Sequence, residues 1–419
     1  MPKPARTVSL GCRLNAYEAE RMAVLAAEAG EADAVVVNTC AVTAEAVRQS
    51  RQAIRKAAKS GARVIASGCA VQTDPEAFAA MPEVARVIGN GVKLDADAWV
   101  APAPVPDVFD ANTLPRAPAP AACEVRAHLE VQNGCDHRCT FCVIPYGRGA
   151  SRSKAPADVC AEARDLAVLG AKEIVLTGVD LTSYEYAGQR LGAVVEALLG
   201  ALPSDVHVRL SSIDGAEVDN RLFRLLTEED HVAPYAHLSL QSGDDMILKR
   251  MKRRHTRAQA VALSERLRAA RPQIALGADL IVGFPTETDA MAARTLALIA
   301  DCGLAYTHVF PYSPRVGTPA ARMPQLPRET IKARARALRA AATAALTTRL
   351  DDLARAPQSV LVESVRDGVA LARTPCFAEV ELDAHGLAPG QRLTVTPTGR
   401  NGRRLRAVRP PSDRKDTHA

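Results

Sequence analysis

Six of the chain's ten cysteines fall where metal chemistry would put them. Cys135, Cys139 and Cys142 lie in "GCDHRCTFC", spaced C-x3-C-x2-C. Closed structural thiolate sites usually have four protein ligands, so a trio either borrows a fourth or leaves a metal position open. For a tetrahedral zinc site the candidates to borrow are His137, awkwardly placed between the first two cysteines, and Cys123, in a proline-rich segment. The other reading is an iron–sulfur cube on three thiolates, whose remaining iron takes an exogenous ligand and so serves catalysis. A second trio, Cys12, Cys40 and Cys69, is spread at intervals of 28 and 29 residues in "GCRLN", "NTCAVT" and "SGCAVQ". Cys123, Cys160, Cys302 and Cys376 read as small packed hydrophobes.

The elements that must carry these residues follow from the hydrophobic pattern. β-branched runs at 6–12, 34–40, 63–69 and 85–90 alternate with helical stretches at 15–29, 43–59 and 74–80, a βαβα order that implies a parallel sheet. Right-handed crossovers put the carboxyl ends of such strands on one edge, so Cys12, Cys40 and Cys69 should converge, facing helix N-termini where negative charge is favoured. Six prolines between 101 and 122 forbid regular structure and mark a linker after a first domain of residues 1–100. From 123 to 355, strands are expected at 126–132, 172–179, 206–211, 235–241, 276–283 and 306–311, with helices at 156–169, 189–201, 217–228, 256–270, 287–302 and 327–355. Six strands in parallel order suggest a partial (β/α)6 barrel, two strands short of a full one. Short strands with turn signals follow, giving a small antiparallel β domain over 356–410, and residues 411–419 read as a disordered tail.

Composition excludes several classes. With 47% hydrophobic and 24% charged residues the chain is neither disordered nor a membrane protein. The opening "MPKPARTVSLGCRLN" lacks an apolar export signal, so a cytoplasmic location is expected, where cysteines serve metal or redox chemistry more than disulfides. The net charge of +6 permits an anionic partner. Local surpluses matter more: Arg400, Arg403, Arg404, Arg406 and Arg409 suit a phosphate backbone, and "KRMKRRHTR" at 249–257 is a second basic run. With 4% aromatics, base stacking is scarce, so any RNA grip should be electrostatic.

The runs "VQNGCDHRCTFCVIPYGRGASRS", "SLGCRLNAYEAE", "VVVNTCAVT", "SGCAVQ", "EIVLTGVDLTSY", "RLSSID", "HLSLQSGDDMILKRMKRRHT", "ADLIVGFPTET" and "HVFPYSPRVGTPA" together resemble the bacterial methylthiotransferases of the radical SAM superfamily, over nearly the whole chain. The resemblance implies that Cys135, Cys139 and Cys142 hold a 4Fe-4S cluster whose open iron chelates S-adenosylmethionine (SAM) and delivers the electron that releases a deoxyadenosyl radical. It implies a second 4Fe-4S cluster on Cys12, Cys40 and Cys69 that carries the inserted sulfur, and SAM contacts from Thr177, Gly178, Asp180, Arg209, Ser211, Gln241, Gly283 and Glu287. The last domain resembles the family's RNA-binding TRAM barrel. Implied partners are a tRNA anticodon stem-loop and a flavodoxin or ferredoxin as electron donor. Family branches act on threonylcarbamoyl-adenosine or isopentenyl-adenosine in tRNA, or on a ribosomal-protein aspartate, and "GCRLNAYEAE" is most similar to the first. A non-catalytic metal-cluster protein that binds RNA is the reading from another class.

Overall fold

A computed structural model describes residues 5–409; the tail expected at 411–419 lies outside them. The first sheet runs β1 (Arg6–Ser9), β2 (Val35–Thr39), β3 (Val64–Gly68) and β4 (Arg86–Val87), all parallel and in sequence order. Helix α1 (Arg13–Glu28) links β1 to β2, and α2 (Ala44–Lys59) links β2 to β3. All five residues of β2 are buried because both its faces are covered. Val35 and Val37 pack with Ile54 and Ala57 of α2, while Val36 packs with Met22 and Leu25 of α1 and with Trp99. Each such valine contributes roughly 1.5–3 kcal/mol on burial. Thr43 starts α2 by accepting from the Ala46 amide at 3.0 Å.

The second unit is an open half-barrel whose six main strands run parallel, with two small antiparallel pairs beside them. Its strands are β5 (Arg126–Glu130), then a two-residue pair β6 (Gln132–Asn133) and β7 (Arg152–Ser153), then β8 (Glu173–Thr177). A small hairpin, β9 (Glu185–Tyr186) and β10 (Gln189–Arg190), precedes β11 (His207–Leu210), β12 (Ser212–Ile213), β13 (Tyr235–Gln241), β14 (Ala275–Val282) and β15 (Leu304–Pro311). The order β5-β8-β11 continues as β12-β13-β14-β15, with β11 and β12 one strand broken at Ser211. Alternation sends Ala127, Leu129 and Val131 into the core beneath the helices and Arg126, His128 and Glu130 into the lumen. The helix Arg328–Leu353 buries Ala335 and Leu338 in that core, and Leu346 and Leu350 in the core of the next unit.

That unit is a closed five-stranded barrel of β16 (Gln358–Arg366), β17 (Val369–Arg373), β18 (Glu379–Asp383), β19 (Arg392–Asn401) and β20 (Arg404–Val408), in the order β16-β17-β18-β20-β19. The expected all-antiparallel pairing is corrected at one seam, where β18 and β20 run parallel. Five strands cannot alternate direction around a closed ring, so one parallel pair is unavoidable.

The proline-rich stretch is extended but well anchored. Val108 and Ala117 are buried, and the Pro106 and Ala111 carbonyls each accept a 2.9 Å bond, from Gln72 and Arg152. Four helices were not foreseen: Cys69–Thr73, Asp97–Val100, Ile144–Arg148 and Asp245–Met251. At four to seven residues each they are too short to display a helical period.

Candidate metal centres and the cavity beside them

The compact trio sits in the loop between β6 and the helix Ile144–Arg148, at the carboxyl end of the half-barrel strands. Gly134 enters it at φ +74°, and a Cβ there would lie 1.8 Å from the Ala150 carbonyl oxygen, so only glycine fits. The loop is closed by bonds from the Cys135 amide to the Gly149 carbonyl at 3.1 Å and from the Thr140 hydroxyl to the Arg250 carbonyl at 2.7 Å. Burial pushes the Cys135 and Cys142 thiols up to about 12, so without a metal they keep their protons. The Arg253 guanidinium lies 3.8 Å from Cys139 Sγ and is held by Asp214 at 2.8 Å and the Ser239 carbonyl at 2.6 Å. Neither borrowed zinc ligand joins the trio. His137 Nε2 is 2.7 Å from Asp180 Oδ2 and meets Arg254, while Cys123 donates to the Leu166 carbonyl at 3.6 Å beside the hydrophobic core.

The scattered trio is assembled by register. Thr39 is opposite Gly68 and Ser9 opposite Asn38, which brings the chain level just before Cys40, Cys69 and Cys12. A Cβ on Gly68 (φ +97°) would come within 2.5 Å of the Thr39 backbone, so this turn too requires glycine. Cys12 caps α1 and Cys69 opens the helix Cys69–Thr73, both at helix N-termini as expected, but Cys40 lies in a loop ahead of α2, its amide bonded to Ser50 Oγ at 3.2 Å. Burial raises the Cys40 thiol to about 11, with further upward pressure from Cys69 and Cys12.

A buried ion network joins the two trios. Arg148, at the end of the compact loop's helix, donates to Glu18 at 2.8 and 3.0 Å, Asn15 at 2.6 Å and Asn133 at 3.1 Å. Lys93 completes the Glu18 carboxylate at 2.5 Å. Burial alone would raise Glu18, but Arg148 and Lys93 outweigh it and hold the carboxyl at about 2. The Asn90 amide reaches Cys69 Sγ at 3.7 Å and the Gly147 carbonyl at 2.5 Å, tying one trio's cysteine to the other trio's helix.

A cavity of about 240 Å³ opens beside the compact trio. Cys135, Cys139, Cys142, Asp180, Gln241 and Arg253 line it, and Val42 and Thr43, just after Cys40, form part of its wall. Asp180 and Gln241 therefore face it. Thr177 and Ser211 are buried at the ends of β8 and β11, and Gly178 packs against Gln132, whose amide oxygen accepts from the Val179 and Asp180 amides at 3.0 and 2.8 Å. Three other candidates point elsewhere. Arg209 reaches down the lumen to Glu173, both bonds 2.8 Å. Gly283 donates its amide to Glu287 at 2.7 Å, and Glu287 pairs with Arg334 at 2.7 Å behind the barrel. Residues missed from the sequence include Gln132, Arg148, Asp214 and Asp279; strand alternation was the available signal for Asp279, whereas nothing local marks Arg148.

On the C-terminal barrel, Arg400 is spent on Asp351 at 3.0 Å and Arg404 on Glu379 at 2.8 Å, leaving Arg403 and Arg406 exposed and, among the described residues, unpaired. In the 249–257 run, Arg250, Arg253, Arg254 and Arg257 all have partners within the protein.

A parallel half-barrel carrying a three-cysteine loop at its strand ends defines a radical SAM enzyme, and residues 129–299 match the Radical SAM superfamily, with 5–89 matching the Uncharacterized protein family UPF0004. The chain is 43% identical to the Threonylcarbamoyladenosine tRNA methylthiotransferase MtaB of Rickettsia prowazekii, over 92% of each chain. It is 37% identical to the tRNA-2-methylthio-N(6)-dimethylallyladenosine synthase of Erythrobacter litoralis, over 81% of this chain and 82% of that one. The fold resembles the radical SAM methyltransferase TsrM of Kitasatospora setae at TM-score 0.54 and 17% identity, covering 72% of this chain and 68% of that one. The chain belongs to the radical SAM methylthiotransferase family, whose enzymes transfer sulfur and methyl groups using SAM and 4Fe-4S clusters.

Proposed function

We propose that the protein replaces the C2 hydrogen of N6-threonylcarbamoyladenosine at tRNA position 37, beside the anticodon, with a methylthio group. The observation that carries the substrate is the 43% identity to the Rickettsia enzyme of that name over 92% of the chain. Both trios suit 4Fe-4S clusters with one open iron: each offers three cysteines, and each lies beside an arginine, half-buried Arg253 or buried Arg148, that offsets negative charge. On this reading Cys135, Cys139 and Cys142 hold the SAM-binding cluster, and Cys12, Cys40 and Cys69 the cluster that supplies sulfur. Bound there, the groups supply radical initiation and sulfur.

The chain's own residues do the rest. Asp180 and Gln241 border the SAM space, and Gln132 fixes the Asp180 turn. The C-terminal barrel acts as a TRAM-like RNA platform in which Arg403 and Arg406 carry the phosphate contacts. Electrons come from a flavodoxin or ferredoxin, and the setting is the cytoplasm; among the described residues no helix is long and apolar enough to cross a membrane. The test is mass spectrometry of tRNA nucleosides with and without the gene. Loss of the methylthiolated threonylcarbamoyl nucleoside is expected. Its persistence, with loss of methylthiolated isopentenyladenosine instead, would shift the assignment to the branch of the Erythrobacter relative.

A further inference from the structure

Below the cysteine-lined cavity the lumen ends in a cage of guanidiniums. Phe377, inserted from the turn between β17 and β18 at φ +82°, stacks on Tyr235 with ring centroids 4.7 Å apart. Around its ring stand Arg13 at 5.6 Å, Arg126 at 5.4 Å, Arg209 at 5.2 Å and Arg373 at 4.5 Å. The carboxylates present do not balance them. Glu173 serves Arg126 and Arg209, Glu363 serves Arg126 and Arg373, and Glu379 is shared between Arg373 and Arg404. Four arginines thus share three glutamates, and Arg13 adds a fifth positive charge. Arg13 has no hydrogen-bond or ion-pair partner among the described residues, although it is half-buried. Arg209 is fully buried, and its Nη1 has no partner either. A buried guanidinium nitrogen without an acceptor costs stability, so its retention points to a ligand that arrives from outside. The nearby His128 adds no charge at neutral pH, since burial and then Arg13 push it down to about 4.

A chain of side-chain contacts leads from the cavity to the cage. Ser239 and Asp279 line the cavity; Asp279 Oδ1 meets His237 Nε2 at 2.9 Å, and His237 Nδ1 meets the Tyr235 hydroxyl at 2.9 Å, directly on Phe377. Ser239 to Tyr235 spans about 13 Å along β13. On adenine N1 separates C2 from C6, so the N6 substituent leaves the ring well away from the C2–H bond, and a base that turns C2 toward the cysteines has its N6 arm free to run along this lumen. We propose that Arg13 and Arg209, backed by Arg126 and Arg373 around Phe377, bind the carboxylate of the threonyl group on the target adenine and thereby select it over a base bearing an uncharged alkyl group. The inference rests on the threonylcarbamoyl reading of the substrate.

The test measures binding of the reconstituted holoenzyme to anticodon stem-loop RNAs by fluorescence anisotropy. One RNA carries threonylcarbamoyladenosine as the free acid, the other as its neutral methyl ester. The wild type should bind the acid at least about tenfold tighter, the scale of one charge-assisted contact. Arg13→Gln should erase that preference while leaving affinity for the ester unchanged, and Arg13→Lys should restore part of it. Equal loss for both RNAs would assign Arg13 to backbone phosphate and overturn the proposal. So would a wild type that binds and methylthiolates acid and ester alike, a result that leaves the substrate reading standing and needs no variant. Turnover of isopentenyladenosine RNA with none of either threonylcarbamoyl RNA would overturn that reading itself.

Discussion

Cys135, Cys139 and Cys142 come from one loop eight residues long, whereas Cys12, Cys40 and Cys69 come from the ends of three strands spread over 58 residues. The loop trio is shaped by its own chain: a left-handed Gly134 and short backbone bonds, with Arg253 as a cation from outside the loop. The strand trio also needs a left-handed glycine, Gly68, but no single loop holds its thiols together. It exists because parallel register levels three strand ends, and because Arg148, supplied by the other unit, sits beside it. Two sites with the same number of thiols thus differ in what they depend on: one on a loop, the other on a whole sheet and its docking.

The largest effects should separate the sites chemically. Cys139→Ala should lower iron from about eight to about four per chain and abolish reductive cleavage of SAM to deoxyadenosine. Replacing Cys12, Cys40 and Cys69 together by Ala should remove as much iron yet leave cleavage intact, while methylthiolation stops. If the triple variant also ceased to cleave SAM, the two sites would not be independent.

The docking network ranks next. Arg148→Met leaves Glu18 buried with only Lys93 and the Asn38 side-chain amide, and should cost about 3–5 kcal/mol, visible as a lower first thermal transition. It should also impair metal loading at the strand trio more than at the loop trio, the reverse of Arg253→Met. Equal losses at both sites would show that the two trios do not differ in this way.

Local strain is smaller and has an internal control. Gly30 (φ +82°) and Gly134 (φ +74°) share a left-handed backbone, but a Cβ meets nothing within 4 Å at Gly30 and the Ala150 carbonyl at Gly134. Gly30→Ala should cost about 1–2 kcal/mol from conformation alone. Gly134→Ala should cost more and perturb only the loop trio's iron, as read by thermal melting and metal analysis.

The smallest effect is a pH dependence within the network. Burial, and then the charge on Glu18, raise the Glu130 carboxyl to about 7. A folded-state value above the unfolded one means that the stabilising contribution is complete below about 4.5 and lost as pH rises through 7. Glu130→Gln should therefore be near neutral in melting temperature at pH 5 and stabilising at pH 8. Glu18 works in the opposite sense: its contribution is present above about 4.5 and fades as pH falls toward 2.

Much of the scaffold is legible in the chain. The strand expected at 235–241 is β13 residue for residue, and the helix expected at 156–169 ends one residue early at Val168. Long periodic segments reveal themselves because burial on one face imposes a period. Side-chain direction does not show in the same way. Arg209 stands near a strand end, yet its long side chain turns toward Glu173; Glu287 folds back to cap Gly283 and meet Arg334. Proximity to a strand end locates a backbone, not the reach of its side chain.

The C-terminal arginines teach the same lesson about charge. As residue types they form one basic cluster, but Asp351, 49 residues before Arg400, and Glu379, 25 residues before Arg404, neutralise two of them. Sequence alone determined the loop trio, since C-x3-C-x2-C needs only a short chain to close on a metal, and it determined the order of strands that would carry the second trio. Only the tertiary structure decided that Arg148 would stand between the trios and that Arg13, Arg126, Arg209 and Arg373 would surround one phenylalanine. Those arrangements join residues up to 364 positions apart (Arg13 and Phe377), and no local period or spacing encodes which distant charges will share a buried space.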